Sequence, residues 1–141
     1  MFLFLTFPNF IVLLNQTTLF MTTQQIANRL VELCRTGKND QCYTELFAPT
    51  ASSHEMPGVP GGDTHGIEAM LAKSAAWAAD VKQVHKMEVT EPVVYGDFFA
   101  LGMGIDLEKK DGTRSFEQEM CVYTVAQGKI ISERFIYKMP G

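Results

Sequence analysis

Acidic, aromatic and thiol side chains alternate along two β-rich runs near the end of the chain, and this pattern could bring carboxyl groups together with apolar walls. In the run 113–126, one face carries Glu119, Cys121 and Tyr123, because alternate side chains of a strand point to opposite sides of a sheet. In the run 129–138, the residues that share one face include Glu133, Phe135 and Tyr137. A carboxyl group in apolar surroundings has a raised pKa, which suits general acid or base catalysis. Periodicity alone leaves open which face of each run turns inward, since both faces are mixed.

Three further residues are candidates for the same chemistry. His54 and Glu55 lie just before a loop, 57–62, that is rich in glycine and proline. His85 alternates with Met87 in another β-rich run, so it points inward if that face is the core side, where it could exchange protons with a carboxyl group. A single histidine on an apolar face is more often a hydrogen-bonded core residue, and this alternative stays open.

The sequence contains no pattern typical of a metal or nucleotide site. The loop 57–62 separates His54 and Glu55 from His65, and the spacing of these three residues is unlike that of metal ligands. The three cysteines form no C-x-x-C pair. The loop also lacks the glycine spacing and the lysine of a phosphate cradle. We therefore expect no metal and no cofactor.

Composition favours a single soluble globular domain. The chain has 141 residues, of which 46% are hydrophobic and 20% charged, and its formal net charge is −4. Ten phenylalanines argue against disorder. Basic residues are scattered, with Lys109-Lys110 as the only adjacent pair, so we expect no nucleic-acid partner.

The first twenty residues differ in character from the rest. They are apolar but interrupted by Pro8-Asn9 and by 15–18. They therefore contain no run of about twenty apolar residues, which is the length that a membrane-spanning helix needs. A signal peptide begins with a positively charged region, whereas the first basic residue here is Arg29. We expect residues 1–20 to be an extension upstream of a domain at 21–141, with an atypical export signal as the alternative. The odd cysteine count favours a reducing, cytoplasmic location.

Sequence periodicity predicts helices first and strands last. The capping box Thr22-x-x-Gln25 begins a helix that ends at Gly37, and a short second helix begins at Asn39 or Asp40 and ends before Pro49. A third helix is predicted to begin at Asp63 or Thr64. Four β-rich runs follow, at 82–91, 93–108, 113–126 and 129–138. This order predicts an α+β conical barrel, with three N-terminal helices packed on a strongly curved, mainly antiparallel sheet.

Several short strings in this order resemble the SnoaL-like branch of the nuclear transport factor 2-like superfamily. They span about residues 22–138 and are Leu46-Phe47-Ala48, Gly66-Ile67-Glu68-Ala69-Met70, Gly96-Asp97-Phe98-Phe99-Ala100 and Val122-Tyr123-Thr124-Val125 with Gly128-Lys129-Ile130-Ile131. The resemblance implies a conical barrel, usually dimeric, with a hydrophobic pocket. Members include polyketide cyclases, ketosteroid isomerases, dehydratases and proteins without catalytic activity, so the fold does not fix the function.

The resemblance also implies which residues line the pocket. It turns the faces with Cys121 and Glu133 inward, so the expected ligand-binding residues are His54, Trp77, Met87, Glu119, Cys121, Tyr123, Phe135 and Tyr137. Glu55 falls where ketosteroid isomerases carry their proton-shuttling carboxylate. Leu30 and Cys121 stand where those isomerases carry oxyanion-binding groups, and the last strand, near Lys138, lacks an aspartate found in several cyclases. The first two departures disfavour a steroid-type isomerase, and the third counts against a simple transfer of the cyclase mechanism.

Three functions remain in competition at this point. The first is cofactor-free isomerase, cyclase or dehydratase chemistry on a small hydrophobic molecule, with Glu55 or Glu133 as base and His85 as its partner. The second is ligand binding without chemistry, and the third is a dimeric interaction domain. The outward face would expose an apolar set that favours a homodimer formed through the outer sheet face: Phe116, Met120, Val122 and Ile136.

Overall fold

Three helices precede most of the sheet in the structure, a computed structural model that describes residues 20–141. Helix α1 is Thr23–Arg35, α2 is Asn39–Leu46 and α3 is Ile67–Asp80. The predicted capping box begins α1: the Thr22 hydroxyl accepts a hydrogen bond from the Gln25 amide, and the Gln25 side chain accepts one from the Thr22 amide. Gly37, at a φ of 73°, then allows the tight turn into α2.

Within residues 20–141, seven strands form one curved sheet on which the helices pack. They are β1 (Phe47–His54), β2 (Asp63–His65), β3 (Val81–Val89), β4 (Val93–Tyr95), β5 (Phe98–Lys109), β6 (Arg114–Ala126) and β7 (Lys129–Ile136). Their order is β2-β1-β7-β6-β5-β3, with β4 paired to β5. The β1–β7 pair is parallel and the others are antiparallel. The predicted α+β class, with helices on a curved and mainly antiparallel sheet, is confirmed.

The core lies between α1 and the inward face of β5, β6 and β7. Tyr123 is 2% exposed and stacks on Phe99 with ring centroids 4.6 Å apart. Apolar residues of α1, spaced three and four apart, bury one stripe of the helix against this layer, as expected of an amphipathic helix. The fully buried residues of this core, from α1 and from the three strands, include Ile26, Leu30, Leu33, Phe99, Leu101, Cys121 and Ile130.

Some predicted boundaries are wrong, each for a local reason. Helix α3 begins at Ile67, because residues 63–65 form strand β2 and pair with β1. Helix α2, in contrast, ends before Pro49 as expected, at Leu46, after which the chain takes up the extended backbone of β1. The run 93–108 divides into two strands at the turn around Gly96, whose φ is 59°.

A register shift in the β6–β7 pair changes one alternation. Thr124 pairs with Ser132, but Val125 pairs with Ile130, so Ile131 is the extra residue of a bulge. Ile130 is therefore fully buried while Ile131 is 39% exposed, the reverse of strict alternation. From Glu133 onwards the predicted alternation holds.

The extension predicted at residues 1–20 lies almost entirely outside the described residues, of which Phe20 is the first. Within residues 20–141, no helix has the length and apolar character needed to cross a membrane.

Candidate functional site

Three carboxyl groups and one ammonium group gather on the inward face of the sheet. Glu133 lies on β7, directly beside Ser53 of the parallel strand β1 and opposite Tyr123 of β6. Glu119 lies further along β6 on the same face. Glu55 directly follows β1, next in the inward alternation after Ser53. The sheet order therefore brings together residues that are far apart in the sequence.

Glu133 is the most enclosed of the carboxyl groups, with 3% exposure. Its Oε1 accepts two hydrogen bonds, one from the Ser53 hydroxyl at 2.7 Å and one from the Tyr43 hydroxyl at 3.1 Å. Burial raises the pKa of Glu133 to about 7, because the loss of hydration outweighs these two hydrogen bonds, which favour the ionised form. Among the described residues, no hydrogen bond to Oε2 is found.

Glu119, on β6, is half-buried. Its Oε1 lies 3.6 Å from the Cys121 sulfur, a weak contact. Burial, together with the negative charge of Glu55, raises the pKa of Glu119 to about 7. The thiol of Cys121 is fully buried, and burial raises its pKa well above the usual range, so it stays neutral.

Glu55 binds a cation and a phenol at the same time. Its Oε1 lies 2.5 Å from the Lys73 ammonium, and its Oε2 accepts a hydrogen bond from the Tyr137 hydroxyl at 2.9 Å. The same ammonium lies 5.7 Å from the centre of the Phe135 ring. Burial and the hydrogen bond to Glu55 raise the pKa of Tyr137. Lys73 belongs to α3, Glu55 follows β1 and Tyr137 follows β7. The ion pair between Glu55 and Lys73 therefore joins α3 to the ends of these two strands.

These groups act on one another electrostatically. The charge of Glu55 raises the pKa of Glu119, and the charge of Lys73 lowers the pKa of both Glu119 and Glu133. Two carboxyl groups that titrate near neutral pH in one apolar setting can supply a proton donor and a proton acceptor together. We call Glu55, Glu119, Glu133 and Lys73 the interior cluster.

His85 does not belong to this cluster. The register between β3 and β5 shifts between Val84 and Lys86, and this bulge ends the alternation that would have turned His85 inward. Its Nε2 lies instead 3.3 Å from Glu108 at the surface. The structure thus corrects the inward orientation expected for His85.

Trp77 also lies away from the cluster. It is 44% exposed, because α3 buries only Met70 and every residue from Ala75 to Asp80 is exposed. The structure therefore corrects its expected place in the wall of the pocket.

His54 and Met87 occupy intermediate positions. His54 alternates with the inward Ser53, so it faces the other side of β1, where its two ring nitrogens contact Asp63 at 2.8 Å and Ser52 at 2.9 Å. Both nitrogens are used in these contacts, which leaves His54 a structural part of the β1–β2 pair. Met87 is half-buried and packs against the core.

Sequence reasoning missed Tyr43, Ser53 and Lys73, which are the hydrogen-bond and charge partners of the cluster. The Tyr43 hydroxyl reaches Glu133 across 90 positions of sequence, so no local spacing points to this contact. Ser53 lies two residues before Glu55, so strand alternation carried the signal that both point the same way. Lys73 gave no signal because a lone lysine on a helix is usually solvated.

Two open concavities lie elsewhere on the surface. One, of about 500 Å³, is on the outer sheet face and is lined by Lys86, Glu88, Asp106, Arg114, Ser115 and Phe116. The other, of about 420 Å³, lies beside the start of α3. Neither is lined by a residue of the interior cluster. Within residues 20–141, no group of three or more histidine, cysteine, aspartate or glutamate side chains is arranged to hold a metal ion.

Within residues 20–141, a curved and mainly antiparallel sheet packs on three helices and carries carboxyl groups on its inward face. The sequence profile of the SnoaL-like domain matches residues 21–137, and the chain therefore belongs to the SnoaL-like domain family. No functionally curated protein matches the chain.

Solved structures agree with this assignment. A protein from Mesorhizobium loti, described as a candidate SnoaL-like polyketide cyclase, is 37% identical, with a TM-score of 0.78 over 83% of this chain and 100% of its own. A candidate SnoaL-like polyketide cyclase from Jannaschia sp. CCS1 is 16% identical, with a TM-score of 0.67 over 81% and 83% of the two chains. TerC, crystallised with polyporic acid, is 13% identical, with a TM-score of 0.68 over 83% and 92%. The last two share the fold.

Proposed function

We propose that this protein binds a small hydrophobic molecule against the inward face of its sheet and transfers a proton on it without a cofactor. The reaction would be an isomerisation, cyclisation or dehydration, with Glu133 as the group that gives or takes the proton. The observation that carries the proposal is the setting of Glu133: a carboxyl that is 3% exposed, held by two hydroxyls and with a pKa of about 7.

The pKa of Glu133 suits this role because both protonation states are populated near neutral pH. A general base works best when its pKa lies near the working pH, since it then combines the right protonation state with enough driving force. Ser53 and Tyr43 both donate to Oε1, which fixes the carboxyl plane. Oε2 is then the oxygen expected to meet the substrate.

The rest of the interior cluster supports a second polar contact with the ligand. Glu55 is bound by Lys73 and Tyr137, so both of its carboxyl oxygens already have partners within the protein. Glu119 titrates near neutral pH and could act as the acid when Glu133 is the base. Phe135 and Met87 would supply apolar walls for the ligand between these carboxyl groups. The Mesorhizobium loti relative, described as a candidate polyketide cyclase, favours an oxygen-bearing apolar ligand.

Ligand binding without chemistry is the second candidate, and one observation favours it. The resemblance implies that Cys121 stands where ketosteroid isomerases carry an acidic oxyanion donor, and a buried neutral thiol is a weak donor. A proton removed from carbon would therefore leave a negative charge with poor stabilisation at this position.

A retained ligand provides the test of the proposal. Native mass spectrometry of protein purified from its own host would reveal a bound small molecule, which is then offered to the wild type and to Glu133→Gln. Proton transfer by Glu133 predicts loss of turnover with ligand affinity kept within about tenfold, because glutamine preserves the shape of the site. The exposed Glu68→Gln provides the matched control. Turnover that survives in Glu133→Gln would exclude Glu133 as the reacting group, and binding with no conversion by either protein would favour the second candidate.

The outer sheet face supports a homodimer as part of the proposal. Its exposed apolar side chains include Phe116 at 50%, Met120 at 45% and Ile136 at 48% exposure, on adjacent strands β6 and β7. A cluster of this kind on a soluble protein is usually covered by another surface, and a second copy brings a matching one. The three free thiols support the proposed cytoplasmic location.

A further inference from the structure

Two of the three cysteines face one another where α1 turns into α2. Cys34 lies in the last turn of α1 and Cys42 in the first half of α2, and their sulfur atoms are 3.9 Å apart. Both residues are buried, with 3% and 4% exposure. The turn between the helices is tied by a hydrogen bond from the Lys38 amide to the Leu33 carbonyl at 2.9 Å. This turn holds the two helices, and therefore the two sulfurs, next to each other.

We propose that Cys34 and Cys42 form a reversible disulfide when the protein meets a peroxide. One thiolate attacks a peroxide oxygen, gives a sulfenic acid and releases hydroxide, which leaves as water with the thiol proton. The second sulfur then attacks the sulfenic sulfur, forms the S–S bond and releases the oxygen as a second water. Two thiols and one hydrogen peroxide thus give one disulfide and two waters, and a dithiol reductant reverses the change.

The geometry requires a small movement that α2 can provide. A disulfide bond is about 2.05 Å long, so the sulfurs must approach by about 2 Å. Helix α2 has eight residues, and Lys38 at its start makes no capping hydrogen bond with its side chain. Short helices with weak ends open locally at low cost, which also admits the oxidant.

The reaction is expected to be slow in the closed protein. The hydrogen bond with Cys34 and, to a smaller extent, burial raise the pKa of Cys42 far above its usual range. Because the thiolate is the reactive form, little of the reactive form is present. Local opening therefore limits the rate. Cys121 is an internal comparison: it is fully buried, and its polar neighbours among the described residues are the Glu119 carboxyl and the Tyr123 hydroxyl rather than another thiol.

The disulfide would act on the interior cluster through the residue next to Cys42. The Tyr43 hydroxyl donates to Glu133 across 3.1 Å, and the Tyr43 ring packs edge-on against Phe47 at 4.9 Å. A movement of about 2 Å at Cys42 would lengthen this hydrogen bond beyond its useful range. Because the bond favours the ionised carboxyl, its loss would raise the pKa of Glu133.

The experiment treats the full chain with hydrogen peroxide, blocks free thiols with N-ethylmaleimide in denaturant and maps the peptides by mass spectrometry. The proposal predicts a Cys34–Cys42 cross-linked peptide that lacks two hydrogens, with Cys121 blocked by the reagent, and full reversal by dithiothreitol. Cys34→Ser and Cys42→Ser must each abolish the cross-link, whereas Cys121→Ser must retain it. Methionine oxidation adds oxygen and cannot imitate the loss of hydrogens.

Several results would overturn the proposal. Cross-links that join Cys121, cross-links between chains, or sulfinic acids at Cys34 and Cys42 in place of a disulfide would each do so. The peptide map of the wild-type protein is enough to show which cysteines are joined. The result therefore stands even if a serine variant fails to fold. The link to Glu133 has its own readout, the carboxyl titration followed by carbon-13 NMR before and after oxidation. A raised midpoint supports the link, and an unchanged midpoint excludes it.

Discussion

Replacement of Glu133 by glutamine should change how the stability of this protein depends on pH. In the folded protein the pKa of this carboxyl is about 7, against an ordinary value of 4.5. The folded state therefore binds the proton more tightly than the unfolded chain does. The stability that this proton contributes is fully present below pH 4.5 and is lost as the pH rises through 7.

The size of the effect follows from the two pKa values. The difference between 7 and 4.5, at about 1.4 kcal/mol per pH unit, amounts to a full loss of about 3.5 kcal/mol for the wild type, most of it between pH 4.5 and pH 8. Glutamine has no proton to lose, and its carbonyl oxygen can still accept from Ser53 and Tyr43. The free energy of unfolding of Glu133→Gln relative to the wild type should therefore rise by about 3 kcal/mol between pH 4.5 and pH 8.

Urea unfolding followed by far-ultraviolet circular dichroism, at half-unit pH steps, measures this difference directly. Comparison of variant with wild type at each pH cancels the titration of most other groups. Glu68→Gln, which removes an exposed carboxyl from the first turn of α3, should change far less across the same range. A Glu133→Gln difference that stays flat, or falls, as the pH rises would refute the assignment of Glu133 as a carboxyl that is largely protonated below pH 7.

Three further changes test the surroundings of this carboxyl and the outer face. Tyr43→Phe removes a donor to the ionised form of Glu133, so the carboxyl midpoint in a carbon-13 NMR titration should rise by about one pH unit; a lowered midpoint would contradict the geometry. A double-mutant cycle of Lys73→Met and Glu55→Gln should show a coupling of about 1 kcal/mol or more in urea unfolding, since the pair is partly enclosed, and additive effects would exclude a stabilising pair. Met120→Lys should convert a dimer to a monomer in sedimentation velocity, because it places a charge in the proposed apolar interface; an unchanged sedimentation coefficient would argue against that interface.

Local chemistry explains which parts of the fold the sequence predicts well. The capping box at Thr22 and Gln25 depends on residues three apart, and the structure contains it as expected. Strand β2 is three residues long and depends on pairing with β1, so no local pattern could predict it. The bulges beside His85 and at Ile131 also depend on the partner strand, and each reverses an alternation that the sequence alone treats as regular.

The same contrast holds at the interior cluster. Alternation predicts that Glu119, Cys121 and Tyr123 share a face, but the depth of each carboxyl depends on what other elements place over it. Tyr43 and Ser53 reach Glu133 from α2 and β1, across 90 and 80 positions of the sequence. Such contacts leave no spacing to recognise in one sequence, which is why the donors to Glu133 were missed.

The parallel β1–β7 pair has a consequence for how the molecule is made. It joins the first strand of the sheet to its last, and Ser53 meets Glu133 only through that pairing. Contacts between distant parts of a chain carry the largest cost of loop closure and tend to form late in folding. During synthesis on the ribosome, the helices and the earlier strands could emerge and begin to collapse while Glu133 is still being translated. A partly made chain therefore lacks the hydrogen bond between Ser53 and Glu133, and the proposed proton-transfer site would be assembled only with the final closure of the sheet.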